Sequence, residues 1–408
     1  MKIFYGWVIV VVGAVITCVG FGAMLTLSIF LQPVAEAMGW SRQGIAVAAM
    51  LNYLGMGVGA FVWGALSDRY GTRAVVLAGG VLMGLGMVLS SQVTTLLQFQ
   101  LVYGIVVGLA AGSFYAPLIA ATTKWFTENR SLAVALVSAG LSMGSTVMAP
   151  LARGLITGYD WRTAMWVIGD LVWLVVLPLA FLLRNPPRPA AVGTPGAAAV
   201  APGAEYTIGE VMRTPQFAAI AFTHFACCAA HSGPIFHMVT HAIDRGVATM
   251  AAATVLSAAG LASFTGRIIC GIFADRVGAK RTLVVGLALQ AFAIALYLLG
   301  DGLAGFYALA LVFGFSYGGV MPLYAILVRE YFGDRIMGTA FGAVSMVATL
   351  GMAVGPWVGG ALYDTYGSYA WMFAGSAAIG LGAVAIATTF RPPRVAVPVV
   401  LAPAAPAS

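Results

Sequence analysis

The stretch "GIFADRVGAKR", residues 271–281, is a dense polar turn at the end of an apolar run, and "GALSDRYGTRA" at 64–74 repeats its pattern 207 residues earlier. In both copies an Asp-Arg pair follows an apolar segment and precedes a glycine and basic residues. A second pair of stretches recurs at nearly the same distance: "NRSLAVALVSAG" at 129–140 answers "DRIMGTAFGAVS" at 334–345, an offset of 205. Self-similarity at a fixed period reveals a repeated architecture before any single element is assigned. The repeat unit here is half the chain.

The composition says what fills each unit. The chain has 408 residues, of which 61% are hydrophobic and 8% charged, with a mean hydropathy of +0.97. A soluble domain carries roughly 25% charged residues, so this chain is solvated mainly by lipid. A spanning helix needs about 20 apolar residues. Apolar segments fall at about 8–31, 44–66, 74–93, 96–122, 131–156 and 163–183, then at 216–240, 250–272, 282–300, 303–327, 337–362 and 370–390. Runs of this length satisfy their own backbone hydrogen bonds only as helices. The expected fold class is therefore all-α and integral to the membrane, with twelve transmembrane helices in two six-helix bundles.

The formal net charge of +7 could signal nucleic acid, but the charges sit in short clusters between apolar runs. Alternate connections carry Arg69, Arg73, Lys124, Arg130, Arg276, Lys280, Arg281, Arg329 and Arg335, whereas the opposite set carries Arg42, Arg162 and Arg245, with Arg153 near a helix end. By the positive-inside rule both termini are cytoplasmic, and the expected location is the cytoplasmic membrane. The N-terminus reads as a retained first helix rather than a cleaved signal. Cys18, Cys227, Cys228 and Cys270 all lie in apolar segments and read as reduced core residues. The expected domains are an N-terminal bundle at 1–183, a Pro/Ala/Gly-rich flexible linker at 184–214, a C-terminal bundle at 215–390 and a disordered tail at 391–408.

The repeated turn resembles the motif of the major facilitator superfamily, G-x-L-x-D-R-x-G-x-(R/K)-(R/K). Gly64, Leu66, Asp68, Arg69, Gly71 and Arg73 match its first copy, and Ala74 departs from the last basic position. Gly271, Asp275, Arg276, Gly278, Lys280 and Arg281 match the second, with Phe273 in place of Leu. The resemblance implies a gating and architectural role for these residues. "FYGWVIV", "MGWSRQGIA", "KWFTENRSLAVALVSAGLSMG" at 124–144 and "GPWVGGALYDTYGSY" at 355–369 are similar to the monocarboxylate transporter family and its bacterial relatives. Phe126, Arg130, Leu132, Ala133, Ala135, Ala139, Gly140 and Gly144 fit that family's fifth-helix motif. Glu128 and Asn129 replace two of its basic positions, and Val134 and Leu136 are further departures.

Arg267 stands inside the eighth apolar segment, eight residues before Asp275 and so roughly 12 Å inward from the turn. A charge at that depth costs about 2.5–3.5 kcal/mol and faces a partner or a wet cavity. The repeat places Ala60 opposite it, so the scaffold does not demand the cation. A guanidinium fork fits a carboxylate with two parallel hydrogen bonds. The other reading is a structural pair with a buried acid, for which the deep candidate is Asp170. In the resembled family an eighth-helix arginine anchors the substrate carboxylate, and Arg267 matches it. The family's acid one turn earlier is here Ser263, and the eleventh helix lacks the lysine of the oxalate–formate exchanger, which favours a monoanion.

Tyr115 and Tyr317 lie deep enough to complete a carboxylate site or to pack. Asn52 offers substrate contact or interhelical hydrogen bonding. All four histidines, His224, His231, His237 and His241, are on the seventh segment. His237 and His241, one turn apart, are candidates for proton linkage or for satisfied polar groups near a helix end. Asp170 is a candidate for a proton relay or for pairing with Arg153 or Arg162. No nucleotide loop, nucleophile elbow, cofactor motif or metal cluster is expected, which argues against an enzyme. The expectation is a monomeric secondary transporter of a small monocarboxylate, lactate- or pyruvate-like and proton-linked, working by alternating access. The alternatives are an exchanger of another organic anion, aromatic or dicarboxylic, and a non-transporting membrane sensor.

Overall fold

Every regular element among the described residues is a helix. The structure, a computed structural model, describes residues 4–184 and 207–392. The first repeat holds α1 (Tyr5–Leu31), α2 (Arg42–Tyr70), α3 (Thr72–Gln92), α4 (Leu96–Trp125), α5 (Arg130–Gly158) and α6 (Trp161–Ala180). The second holds α7 (Pro215–Asp244), α8 (Thr249–Val277), α9 (Ala279–Leu296), α10 (Gly302–Phe332), α11 (Met337–Tyr366) and α12 (Ala370–Thr388). Eleven of these are long and apolar enough to cross a bilayer. The exception is α7, which has length to spare at 30 residues but carries all four histidines. Most of the expected linker, 185–206, and of the tail, 393–408, lies outside the described residues. Within the expected linker, Ile208–Met212 forms a turn of helix closed by a capping box between Thr207 and Glu210. The Thr207 amide and hydroxyl hold the exposed Glu210 carboxyl below the usual carboxylate range.

The two repeated turns end their helices in the same way. Gly71 (φ 89°) follows α2 and Gly278 (φ 95°) follows α8. Both angles lie where a Cβ is strained, which explains why the motif needs glycine at this point. Beyond the turn, each half braces its own sixth helix differently. Arg73 lies over the Phe181 ring at 4.7 Å, while Lys280 donates to the Thr388 and Phe390 carbonyls at the end of α12.

Each motif acid reaches across to the other half. The Asp68 carboxylate accepts from the Gly338 and Thr339 amides at 3.1 and 2.7 Å, and from the Thr339 hydroxyl at 2.9 Å. Asp275 accepts from the Ser131 and Leu132 amides at 2.9 and 3.0 Å. Gly338 and Thr339 are the second and third residues of α11, and Ser131 and Leu132 hold the same places in α5. The first amides of a helix have no partner within it and sit at its positive end, so a carboxylate satisfies both needs. Gly64 lets α2 approach closely enough for this bond, since a Cβ there would run into the Gly338 carbonyl. The start of α1 and the end of α12 sit on the same face as these latches. Tyr5 donates to the Leu182 carbonyl beside α1, and the α12 end is held by Lys280. This basic face is closed, and close contacts between the halves continue inward to Gly57 beside Thr349 and Ser142 beside Ser263.

Candidate functional site

Arg267 leaves α8 and crosses to α5 in the other half. Its Nε donates to Ser142 Oγ at 3.1 Å, and Nη1 donates to Ser138 Oγ. Ser138 Oγ in turn lies 3.1 Å from the Tyr115 hydroxyl on α4. One turn up α8, Ser263 Oγ is 3.4 Å from Ser142 Oγ. Arg267 is 3% exposed and makes no ion pair with any described residue. A buried guanidinium carrying only hydroxyl partners keeps its full charge uncompensated, which is costly unless an anion joins it.

The guanidinium lines a cavity of about 270 Å³ between the two halves, just below the roughly 300–1,000 Å³ of drug-sized ligand sites. Phe21, Met24, Tyr53, Met56, Leu141, Ile235 and Met352 give it mostly apolar walls. Tyr115 and Tyr317 both face it, as does Ala60, the repeat counterpart of Arg267. Gly112 of α4 and Gly342 of α11 both press against the backbone at Ala60, so it is those two positions that have no room for a side chain.

The major facilitator superfamily model matches residues 12–347 and again 256–407. The chain belongs to the major facilitator superfamily. Within it, the chain is of the monocarboxylate transporter-like family, whose members are named as transporters and not as enzymes. It is 28% identical to Bos taurus monocarboxylate transporter 13 over 369 residues, covering 90% of this chain and 84% of that one. It is 30% identical to Homo sapiens monocarboxylate transporter 11, covering 90% and 78%. It is 26% identical to the uncharacterized MFS-type transporter YhjX of Escherichia coli K12, covering 82% of each. Among solved structures, the transporter FucP in its outward conformation superposes with a TM-score of 0.74 over 94% of this chain and 98% of that one, at 16% identity.

In this superfamily member the cavity-facing histidines are His224 and His231, not the expected pair. Seven residues apart, they share one face of α7 with Cys228 and Ile235, and that spacing was the signal in the sequence. His231 stacks on Tyr317 with ring centres 5.3 Å apart and donates through Nδ1 to the Cys227 carbonyl at 2.7 Å. His224 stacks on Tyr324 at 3.9 Å. His237 and His241 lie on the other side of the helix, and neither lines the cavity. His237 Nε2 bonds the Pro356 carbonyl at 3.0 Å and His241 Nε2 the Tyr297 carbonyl at 3.3 Å, among the rings of Tyr369 and Phe373. They are packed and satisfied.

Two more expected residues lie elsewhere. Asn52 points into the first half, where its Nδ2 donates to the Tyr103 carbonyl at 2.8 Å. That carbonyl belongs to the wide-wound turn Gln100–Val107 of α4, and the residues beside Asn52 that face the cavity are Tyr53 and Met56. Asp170 is exposed on the outer face of α6 beside Trp173 and Leu174, away from the cavity. Nor does it pair with Arg162, which donates to the Ser91 and Val93 carbonyls and lies over Trp161. The motif residues Arg69, Arg276 and Arg281 are exposed on the basic face, and Arg130 Nε donates to the Phe126 carbonyl at 3.1 Å. Gly271 packs on Ala135 and Ser131 of α5, the counterpart of Gly64 on α11. No group of three or more metal-ligating residues occurs among the described residues.

Proposed function

We propose that this transporter carries a small monocarboxylate of the lactate or pyruvate kind across the cytoplasmic membrane by alternating access, with a proton accompanying the anion. The observation that carries this reading is Arg267, a buried cation in the cavity wall with hydroxyl partners and no acid partner among the described residues. The relatives named monocarboxylate transporters support it. A single deep cation matches one carboxylate, and the apolar walls suit a hydrocarbon remainder. An accompanying proton would leave the translocated cargo without net charge.

The site also supplies a route from binding to movement. Ser138 and Ser142 belong to one half and Arg267 to the other, so Arg267 is held across the interface on which alternating access turns. A substrate carboxylate offers the guanidinium stronger, charge-assisted bonds than two serine hydroxyls do. Substrate binding then redirects a bond between the halves onto the cargo.

Uptake of labelled lactate and pyruvate into proteoliposomes, with and without an imposed pH gradient, tests this. Transport should rise with an inward proton gradient. Arg267→Ala should lower apparent affinity on the order of 10–100-fold, the span of a charge-assisted bond worth about 1.5–3 kcal/mol. A folded Arg267→Ala protein that transports with unchanged affinity would remove the carboxylate anchor, and uptake driven only by an opposing anion gradient would replace proton linkage with exchange.

A further inference from the structure

The repeat that singles out Arg267 singles out a second feature, on the basic face. Arg73 of α3 and Lys280 of α9 hold the same place after the repeated turn, 207 residues apart. Lys280 turns its ammonium inward, onto the Thr388 and Phe390 carbonyls at the end of α12. Arg73 has no such carbonyl, and its guanidinium lies 4.7 Å over the Phe181 ring. Arg184, just beyond the end of α6, is held in the same manner, 4.8 Å over the Tyr5 ring, with its carbonyl bonded by Trp125 Nε1. Neither guanidinium makes a hydrogen bond or an ion pair with a described residue.

The two arginines line one cleft of about 440 Å³, together with Tyr70, Ala74, Leu77 and Leu183. It lies on the outside of the first bundle, where Tyr70 and Phe181 are 60% and 55% exposed, and not between the halves. A ring beneath a guanidinium covers its face and leaves its N–H edge free, so stacking directs the fork without using its donors. Two such forks in one cleft suit an anion that accepts several hydrogen bonds, as phosphate oxygens do. Asp170, the acid on this side of α6, is eleven residues from Phe181. That places it about 16 Å deeper, too far to balance the arginines.

The cleft leads into an apolar groove. Phe181, the ring beneath Arg73, also lines a groove along the outer face of α6 with Leu174, Leu177 and Pro178. The wall behind it is tight: Gly80 of α3 packs on Val176 and Leu177, and Trp173 Nε1 donates to the Val81 carbonyl at 3.1 Å. Two cations at the end of a spanning helix, followed by hydrocarbon running into the bilayer, match the order of parts in a phospholipid.

We propose that this cleft binds the phosphodiester of an anionic phospholipid from the leaflet on the basic face, with Arg73 and Arg184 on its phosphate oxygens and an acyl chain along α6. Basic pockets between helices on the cytoplasmic side suit such headgroups, and a headgroup without its own ammonium leaves the phosphate charge to the arginines. The second half has no equivalent, since Lys280 is already bonded and Thr388 stands in the place of Phe181. The site is separate from the cavity and independent of what the cavity carries.

The test is native mass spectrometry of the purified full chain in detergent with added dioleoyl phosphatidylglycerol. Dioleoyl phosphatidylcholine is the zwitterionic comparison, and glycerol 3-phosphate supplies the phosphate without chains. Wild type should retain one phosphatidylglycerol in preference to phosphatidylcholine, and glycerol 3-phosphate should not displace it. Arg73→Gln and Arg184→Gln should each weaken retention roughly fivefold, the worth of one basic residue at an anionic surface. Lys280→Gln, the repeat counterpart, should leave retention nearly unchanged. Thermal stabilisation by phosphatidylglycerol relative to phosphatidylcholine gives a second readout for a variant of lower intrinsic stability. Equal retention of the two lipids overturns the proposal, as does retention untouched in both arginine variants. Displacement by glycerol 3-phosphate would make the cleft a site for a soluble phosphate. An equal loss in Lys280→Gln would reduce the effect to a diffuse attraction of the whole basic face, and either result also overturns it.

Discussion

The two halves share one latch and put it to unequal use. Asp68 caps α11 and also receives Lys124 Nζ at 3.3 Å. Asp275 caps α5 at the same two helix positions, but the cation at the equivalent place, Arg329, is turned to Asp334 in its own half. The contact between α2 and α11 therefore combines cap, ion pair and a glycine-to-glycine approach at Gly64 and Gly338. The contact between α8 and α5 has the cap and a looser fit at Gly271, whose added Cβ would meet Ala135 Cβ at 2.6 Å. On this weaker side lie Arg267 and its two serines. The repeat supplies a symmetric frame, and the cavity arginine stands at the seam with fewer contacts across it.

Three pairs of substitutions would break or sharpen that inequality, with the fraction closed on the basic face read from maleimide labelling of Ser67→Cys in an otherwise cysteine-free chain. Gly64→Val should have the largest effect. Its side chain meets backbone that cannot move aside, at about 1–3 kcal/mol, so labelling rises and transport falls on the order of tenfold or more. Gly271→Val should do less, since an added Cβ there meets Ala135 Cβ at 2.6 Å and the Ser131 carbonyl at 3.0 Å, against a closer approach to the Gly338 carbonyl at Gly64; equal effects would show the two seams to be alike. Next, Asp68→Asn should open the basic face more than Asp275→Asn, each losing a cap worth about 1 kcal/mol and the first an ion pair besides. Adding Lys124→Ala should erase most of the difference between them. Smallest, Ser138→Ala and Ser142→Ala should shift apparent affinity a few-fold, since each removes one hydroxyl from a guanidinium that the substrate can still bind. If either abolished transport, the serines would be substrate ligands and not partners to be displaced.

Much of this was legible in the sequence because it is written locally or repeated. Twelve apolar segments, the paired Asp-Arg turns and a cation with Ala60 as its counterpart need only spacing and the repeat to be seen. The depth of Tyr115 and Tyr317 follows from counting residues, and both face the cavity. What escaped depends on contacts across the fold. That Asp68 bonds Thr339, 271 residues away, is fixed by how the halves dock and not by either motif. Ser138 and Ser142 look like ordinary helix serines until Arg267 is seen to reach them. Of the two readings open for His237 and His241, the structure favours satisfied polar groups, and the seven-residue spacing of His224 and His231 is what marks the inward face. For Asn52 the structure gives the interhelical hydrogen bond of the two readings, to a carbonyl in a wide-wound turn of α4 that no local pattern in "QLVYGIVV" declares.

The histidines of α7 bear on how the protein is made as well as on what it holds. A segment reaches the bilayer from the translocation channel by its own partitioning, and α7 is the one helix of the twelve that falls short of the apolarity of the rest. Its histidine rings are met by neighbours that arrive later in synthesis: the Tyr297 carbonyl of α9 bonds His241, Tyr317 and Tyr324 of α10 stack on His231 and His224, and the Pro356 carbonyl of α11 bonds His237. We predict that α7 presented alone in a glycosylation-mapping assay inserts poorly, and that extending the chain through α11 restores its insertion. The substrate cavity would then carry a cost during biogenesis, borne by a helix that waits for the second half to be completed around it.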